Sequence, residues 1–321
     1  MEKLSRFCIN PVFLKELRTV VRNRKLSVTL MVYNTILGLV GTVALYVIFY
    51  LSGSSNMSED VVMILYLMLT LIEFFLICFA IPAYTAGSIS GEREKQTLDI
   101  LLTTPLKPAS IALGKLMSGI GTIVLLVISS LPILALVFTI GGISIGDIAL
   151  YMLFIVITAF YVGSFGVLFS AKFKKTAIST VFTYATLIFM GIGTCVVILV
   201  AKLVGQMWLE NMHALGKYTQ IYDADLGYGV LLLMINPGVT WASLAMNALG
   251  SRSMFSEIIG EFGTIPTWII NWWFYISSGI QIIISFFVIK LAGRRLNPLL
   301  AKNRKRKIKK KKEEVTRTEE Q

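Results

Sequence analysis

Apolar residues are grouped along the chain into separated blocks, each roughly 20 residues or longer. A helix rises 1.5 Å per residue, so a block of this length covers a hydrocarbon core of about 30 Å. The blocks therefore predict membrane-spanning helices rather than strands. Six spans are predicted: Val28–Leu51, Val61–Ala86, Ile111–Ile140, Ile148–Ala171, Ala177–Val204 and Trp268–Ala292.

One further apolar stretch, Tyr228–Leu249, is also long enough to cross a membrane. Its middle carries Asn236-Pro237-Gly238, a sequence that interrupts a helix. We therefore expect a helical hairpin that dips into the membrane and returns. Irregular backbone at that depth is tolerated only against protein or a wet cavity. A simple surface helix is the alternative.

The composition agrees with an all-α integral membrane protein. Of 321 residues, 55% are hydrophobic and 15% are charged, which lies outside the range of soluble globular domains. The basic N-terminal region contains no cleavable apolar core, so the first span is expected to remain in the mature protein. Cys8, Cys78 and Cys195 form neither a disulfide framework nor a metal-binding spacing and are interpreted as packing residues.

The net charge is +12, but the basic residues are distributed among particular loops and do not indicate a nucleic-acid-binding patch. Lys and Arg concentrate before the first span, after the second, after the fourth and in the tail Lys302–Lys312, whereas Ser52–Asp60 and Gly141–Asp147 contain none. The positive-inside rule then places both termini and the even-numbered loops in the cytoplasm. The expected location is the cell (inner or plasma) membrane, and counting 228–249 as a seventh span would move the basic tail outside.

Three regions follow from these patterns. Residues 1–27 form a cytoplasmic N-terminus, and residues 28–293 form the six-span domain, with an outer loop and hairpin at about 205–267. Residues 294–321 form a basic tail that is expected to be disordered. The tail could serve anionic lipid binding, enforcement of topology or binding to an acidic partner surface.

An amphipathic segment precedes the first span. Asn10-Pro11 supplies an N-cap residue followed by proline at the first helical position. The following sequence, VFLKELRTVVRNRK, has apolar residues on one helical face and basic residues on the other. It predicts a helix lying along the headgroups; a generic basic anchor is the alternative.

The second cytoplasmic loop, GSISGEREKQTLDILLTTPLKP, predicts a short amphipathic helix at about 88–107 between two bends. Gly87 and Gly91 are expected to supply the bend that leaves the second span. The expected apolar ridge comprises Leu98, Leu101 and Leu102. The polar groups expected to face the cytoplasm are Glu92, Arg93, Glu94 and Lys95. Such a helix is suited to docking into a partner.

These two segments, Asn10-Pro11-Val12-Phe13-Leu14-Lys15-Glu16-Leu17-Arg18 and Gly91–Leu106, resemble the ABC type-2 (ABC-2) permease family. The sharp motifs cover about 25 residues, and the rest of the chain matches in layout. The resemblance implies six spans, an N-terminal elbow helix, a cytoplasmic coupling helix and a re-entrant outer hairpin. The elbow residues that it implies are Phe13, Lys15, Glu16, Leu17 and Arg18.

The resemblance further implies a dimer of permeases, identical or paralogous, resting on two separate ATPase subunits. The residues that it assigns to ATPase coupling are Glu92, Arg93, Glu94, Thr97, Leu98, Leu101 and Leu102. ATP and magnesium would be bound by the partner ATPase, and no cofactor by this chain. In agreement, the chain has no G-x-x-x-x-G-K-[ST] sequence with which to hold ATP.

Two residues are candidates for the translocation path or the dimer seam. Glu73 lies in the middle of the second span, where an ionised carboxylate is costly, so we expect it to face protein rather than lipid. A protonated Glu73 hydrogen-bonded to a neighbouring helix is the structural alternative. Trp241, in the hairpin, belongs either to an interfacial aromatic belt with Trp268, Trp272 and Trp273 or to an exit for a lipid-like substrate.

The favoured function is therefore the membrane permease of an ATP-driven exporter. A non-transporting membrane scaffold or sensor coupled to an ATPase remains open. An intramembrane enzyme would need at least two convergent ionisable groups, and the sequence offers only Glu73. The few polar residues in the spans favour an apolar or amphipathic cargo, and the sequence predicts no metal site.

Overall fold

The computed structural model describes residues 24–51, 59–98, 108–140, 143–215 and 223–296, all in helices and connecting turns. Six helices are long and apolar enough to cross a membrane. Numbered in chain order, the helices are α1 (Arg24–Leu51), α2 (Glu59–Thr85), α3 (Ser90–Glu94), α4 (Pro108–Ile140), α5 (Ile145–Lys172), α6 (Thr176–Ile188), α7 (Thr194–Ala214), α8 (Pro237–Ala248), α9 (Arg252–Phe262), α10 (Thr267–Asn271) and α11 (Trp273–Leu296).

The predicted six spans are confirmed. Spans 1 to 4 are α1, α2, α4 and α5, and span 6 is α11. Span 5 consists of α6 and α7 joined by a π-helical segment, Phe189–Gly193. Span 4 begins with Ser144 as its N-cap in a capping box with Asp147, so this serine has a structural partner at the helix start.

Span 4 lies at the centre of the bundle and packs against spans 2, 3, 5 and 6. Its partners approach closely because small residues line its contact face: a Cβ on Gly163 would lie 3.2 Å from Thr85 Cγ2 in span 2. Spans 1 and 5 lie at the periphery, because only 17% of the most apolar window of each is buried, compared with 67% for span 3. The main hydrophobic core lies among spans 2, 3, 4 and 6, and span 1 contributes Tyr33 and Leu37 to it from one face.

A second hydrophobic cluster lies under the hairpin, at the end of the bundle where span 4 begins. Much of this cluster is formed by Val230, Met234, Phe255, Ile259 and Trp273. The hairpin consists of a 3₁₀ helix, Gly227–Ile235, and α8, which meet at a bend of 97°. The predicted break at Asn236-Pro237-Gly238 is therefore confirmed.

The start of the last span differs from the prediction. Trp268 lies in the single-turn helix α10, and the long helix starts only at Trp273, after a non-helical Trp272. Trp273 is 1% exposed and packs into the second cluster, whereas Trp268 and Trp272 are exposed. Because the helix is interrupted at Trp272, this side chain faces outward while its neighbour Trp273 faces the protein interior. Only the exposed Trp268 and Trp272 therefore fit the predicted aromatic belt.

Candidate functional site

The segment Ile89–Leu98 lies between spans 2 and 3 and contains five of the seven coupling residues implied by the resemblance, Glu92, Arg93, Glu94, Thr97 and Leu98. Its helix, α3, covers only Ser90–Glu94, and the chain then reverses. Gln96 has a φ of +58°, in the left-handed region. The Thr97 N–H donates to the Glu92 carbonyl, and the Gln96 N–H donates to the Arg93 carbonyl, which is the bonding of a Schellman motif. Within the described residues, α3 is therefore shorter than the helix predicted at about 88–107, and residues 99–107 lie outside the described residues.

Glu92 binds span 3. Its Oε1 accepts a hydrogen bond from the ammonium of Lys115, and the two side chains form a salt bridge. Lys115 is 6% exposed and Glu92 26% exposed, so much of the pair is shielded from solvent. Sequence reasoning missed Lys115, because a single cation near the start of an apolar block looks like an interface anchor.

Arg93 binds the end of span 4. Its Nη1 donates to the carbonyl of Phe173 at 2.9 Å, and its Nη2 donates to the carbonyl of Ala171 at 3.1 Å. The last carbonyls of a helix lack partners within the helix and carry the negative end of its dipole. Arg93 therefore caps span 4 with a positive charge.

Glu94 binds the start of span 5. Its two carboxylate oxygens accept from the N–H of Thr176 at 2.8 Å and from the hydroxyl of Thr176 at 2.9 Å. Thr176 is the first residue of α6, where an acceptor with negative charge satisfies a free N–H. Glu94 thus acts as a cap supplied from another part of the chain.

A fourth contact fixes the backbone of the same segment. Ser170 Oγ, near the end of span 4, accepts hydrogen bonds from the N–H groups of Ile89 and Ser90 at 2.9 and 2.8 Å. Gly87 lies against span 5 as well, because a Cβ there would be 3.1 Å from Thr176 Cγ2. The segment following span 2 is thus bound to the ends of spans 3, 4 and 5.

The side chains of Glu92 and Arg93 are half-buried and that of Glu94 is exposed, and all three have partners on other spans. Their orientation towards the cytoplasm stays a prediction. Leu98, predicted to lie on the apolar ridge, is 8% exposed and belongs to the main core. Beyond α3, Lys95, Gln96 and Thr97 are exposed as well. Leu101, Leu102 and the elbow residues Phe13, Lys15, Glu16, Leu17 and Arg18 lie outside the described residues.

Glu73 is fully buried in the core between spans 1, 2 and 3, so the prediction that it faces protein is confirmed. Its Oε1 accepts a hydrogen bond from the Tyr33 hydroxyl of span 1 at 2.8 Å and another from the Ser130 hydroxyl of span 3. Its Oε2 has no partner among the described residues. One turn earlier, the Thr70 carbonyl accepts from the Tyr151 hydroxyl of span 4 at 2.8 Å. The carboxyl group therefore joins spans within one protomer.

The hairpin carries a second polar cluster, centred on Asn236. Its Nδ2 donates to the Gly191 carbonyl in the π-helical segment at 2.7 Å, and its Oδ1 accepts from the Gly238 N–H at 2.8 Å. Nearby, Gln281 in span 6 donates to Thr240 Oγ1 at 3.0 Å. The bend of the hairpin is therefore attached to both spans 5 and 6.

Trp241 connects the hairpin with the core. It stacks on Phe74, the neighbour of Glu73 in span 2, with ring centroids 6.4 Å apart. Its Nε1 is buried and has no acceptor among the described residues. Trp241 thus packs against span 2 instead of joining the exposed tryptophans.

Within the described part of the chain, no group of three or more His, Cys, Asp or Glu side chains could hold a metal ion. The groups that hydrogen-bond Glu73 are hydroxyls of tyrosine and serine. These hydrogen bonds between spans are suited to fixing the helices relative to one another and to transmitting movement between them.

Comparison with protein families gives one match over most of the chain. The profile of a family described as ABC-2 family transporter protein matches residues 10–291, which include the two motif segments, the first five spans and most of the sixth. A search of curated proteins gives no significant match.

Proposed function

The chain belongs to the ABC-2 family of transporter proteins, and from that premise we propose that it is the permease subunit of an ATP-driven exporter. It is a multi-pass membrane protein, and the family is the membrane component of transporters. In the proposed assembly two permeases, identical or paralogous, stand on two ABC ATPase subunits. The ATPases bind ATP and magnesium, and this chain contributes no catalytic residue.

The observation that carries the proposal is the set of contacts made by α3. Glu92, Arg93 and Glu94 are consecutive, yet they bind spans 3, 4 and 5 respectively. A displacement of this segment would therefore be transmitted to four spans at once, because the segment is also covalently continuous with span 2. Such a junction is what a mechanical coupling element requires.

The exposed residues of the segment supply the proposed docking surface. Lys95, Gln96 and Thr97 have exposed side chains at the chain reversal beyond α3. In the proposed topology they face the cytoplasm, where the ATPase closes and opens. Glu92, Arg93 and Glu94, which are bound to other spans, then transmit movement, while Lys95, Gln96 and Thr97 contact the ATPase.

The outward response is proposed to pass through the polar contacts of the hairpin. Asn236 attaches the bend to the π-helical segment of span 5, and a π-helical turn is a site where a helix adjusts easily. We propose that the hairpin is re-entrant and opens outward with span 5. Glu73 and Trp241 would connect this movement to the core, at the translocation path or the dimer seam.

The first test is affinity purification of the tagged chain from gently solubilised native membranes, followed by mass spectrometry. A P-loop ATPase is expected to co-purify with the wild-type chain. Lys95→Glu is expected to reduce the recovered ATPase, since it reverses a charge on the docking surface, and the Lys95 side chain makes no hydrogen bond among the described residues. Glu257→Lys, an exposed charge reversal on α9, is the matched control and should retain the ATPase.

Absence of any ATPase from the wild-type preparation, under conditions that preserve other transporter complexes, would refute the proposal. Recovery of an ATPase without ATP-dependent movement of any amphipathic cargo in reconstituted vesicles would instead support a scaffold or sensor. The purification tests whether an ATPase partner binds, and the vesicle assay tests whether the complex transports a cargo.

A further inference from the structure

A small cavity opens at the end of the bundle opposite α3. It lies between the start of span 4 at Leu150, the end of α8 at Asn247, the start of α9 at Arg252 and the start of span 6 at Trp273. Its volume is about 30 Å³. A space of that size holds one small polar group, so the remainder of any bound molecule would stay outside the mouth.

Arg252 and Asn247 bring hydrogen-bond donors to this cavity. Arg252 Nε donates to Asn247 Oδ1, which fixes the guanidinium at the cavity and uses the acceptor of the amide. Within the described part of the chain, Arg252 forms no salt bridge with a carboxylate. The other guanidinium nitrogens and the Asn247 amide N–H₂ are consequently available to a ligand.

Trp273 supplies a further donor. It lines the cavity and is 1% exposed, and its indole Nε1 has no acceptor among the described residues. A buried indole N–H normally has a partner, because burial without one costs free energy. A positive charge, amide donors and an unsatisfied indole donor together favour an anionic group.

The surroundings indicate where such an anion would come from. Tyr275 lines the cavity and is 53% exposed, and its ring lies 5.4 Å from that of Trp272, which is 59% exposed. Exposed Trp and Tyr side chains mark the depth of lipid headgroups. Phe255 and Phe274 form the apolar wall. The cavity is therefore placed where an amphiphile presents its head.

We propose that this cavity is a binding subsite for the anionic headgroup of a membrane amphiphile, a phosphate or a carboxylate. Arg252 provides the charge, while Asn247 and Trp273 provide directed hydrogen bonds. The acyl chains remain outside, along the exposed aromatic side chains. The subsite does not depend on the proposed export activity, since a resident lipid and an exported amphiphile present the same chemistry.

The experiment measures the binding of phosphatidylglycerol to the purified full chain in detergent by native mass spectrometry, with phosphatidylcholine as the zwitterionic reference. Arg252→Gln is expected to weaken phosphatidylglycerol binding about tenfold, because a charge-assisted hydrogen bond is lost. Trp273→Phe keeps an aromatic side chain but replaces the indole by a smaller phenyl ring and removes Nε1–H, and it is expected to weaken binding about threefold. Both variants should weaken phosphatidylcholine binding less than phosphatidylglycerol binding, because the choline group compensates the charge of the phosphate.

Lys202→Gln is the matched control, because it removes another cation on span 5 that bonds the Glu261 carbonyl and lies outside the cavity lining. It should retain wild-type affinity, and a monodisperse elution profile confirms that each variant is folded. Equal binding by the wild-type chain and both cavity variants would overturn the proposal, as would an equal loss in Lys202→Gln.

The two sources of the headgroup are distinguished in the complex with its ATPase. Release of bound phosphatidylglycerol on addition of ATP identifies an exported amphiphile, whereas unchanged occupancy identifies a resident lipid. The subsite stands in both cases. If no ATPase is found, the ATP-release experiment cannot be done, but the lipid-binding measurement on the isolated chain still tests the subsite.

Discussion

The ammonium of Lys115 in span 3 is paired with Oε1 of Glu92 in α3, 23 residues earlier in the chain. Lys115 is buried and Glu92 is only partly exposed, so much of the pair is shielded from solvent. Replacing Lys115 removes the cation that the Glu92 carboxylate binds. The pair is therefore a test of how firmly α3 is held to the bundle.

We expect Lys115→Met to destabilise the protein by about 1–3 kcal/mol, at the lower end of buried pairs because Glu92 reaches some solvent. Adding Glu92→Gln to this variant should recover part of the loss, since the carboxylate that Lys115 binds is then replaced by a neutral amide. Thermal unfolding in detergent measures both changes. Independent, additive losses would contradict a direct interaction between the two residues.

The second prediction concerns the buried carboxyl group of Glu73. Glu73→Leu leaves the Tyr33 hydroxyl without its acceptor and is expected to cost about 1–3 kcal/mol. Tyr33→Phe in the same chain should remove most of that cost, because no buried hydroxyl is then unsatisfied. Glu73→Gln retains an acceptor and should be milder than Glu73→Leu. The same unfolding assay, analysed as a double-mutant cycle, gives the coupling energy.

The sequence was sufficient to predict the spans and the break in the hairpin, because both depend on local features. Continuous apolar blocks determine the spans, and Asn236-Pro237 ends one helix and begins the next. The partners of Glu92, Arg93 and Glu94 could not be predicted, since they depend on which span ends meet in three dimensions. A run of alternating charges has the same pattern whether it faces water or caps neighbouring helices.

Trp241 and Leu98 illustrate the same limit. The sequence places Trp241 in an apolar hairpin and Leu98 in an amphipathic loop, but it does not specify the surface that each one contacts. The structure stacks Trp241 on Phe74 and buries Leu98 in the main core. Burial is decided by the arrangement of the spans, which local periodicity does not encode.

The third prediction tests the contact between spans 2 and 4. A Cβ added to Gly166 would lie 2.2 Å from Thr85 Oγ1 and 2.9 Å from Thr85 Cβ. Gly166→Ala is therefore expected to destabilise the protein by about 1–3 kcal/mol through overpacking. Thr85→Ala should relieve this only in part, because the Cβ contact remains. Gly279→Ala is the control, since its added Cβ meets no atom within 4 Å.

The fourth prediction concerns the left-handed residue of the chain reversal after α3. Gln96 has a φ of +58°, which glycine adopts without the steric cost that a Cβ imposes. Gln96→Gly should stabilise the protein by up to about 1 kcal/mol, and Gln96→Val should destabilise it. Thermal midpoints of the two variants are expected to lie on opposite sides of the wild-type value. A lower midpoint for Gln96→Gly would show that the glutamine side chain contributes contacts of its own.

The fifth prediction is a pH dependence at the hairpin. The Asp225 carboxylate accepts hydrogen bonds from the Thr264 hydroxyl and from the N–H groups of Gly227 and Thr264. These bonds lower the pKa of Asp225 below its usual value of 3.8. The folded state thus binds this proton less readily than the unfolded chain does, so the stabilisation is complete above the usual pKa and disappears as pH falls through the lowered one.

Asp225→Asn should therefore increase amide hydrogen exchange around Gly227 and Thr264 at neutral pH. Its difference from the wild-type chain should begin to shrink as pH falls below about 4 and should disappear only when pH has fallen through the lowered pKa of Asp225 in the folded wild-type chain. Asp223→Asn changes a neighbouring exposed carboxylate and should have little effect at either pH. A difference between Asp225→Asn and wild type that persists undiminished in acid would mean that the side chain holds the hairpin by shape and not by charge.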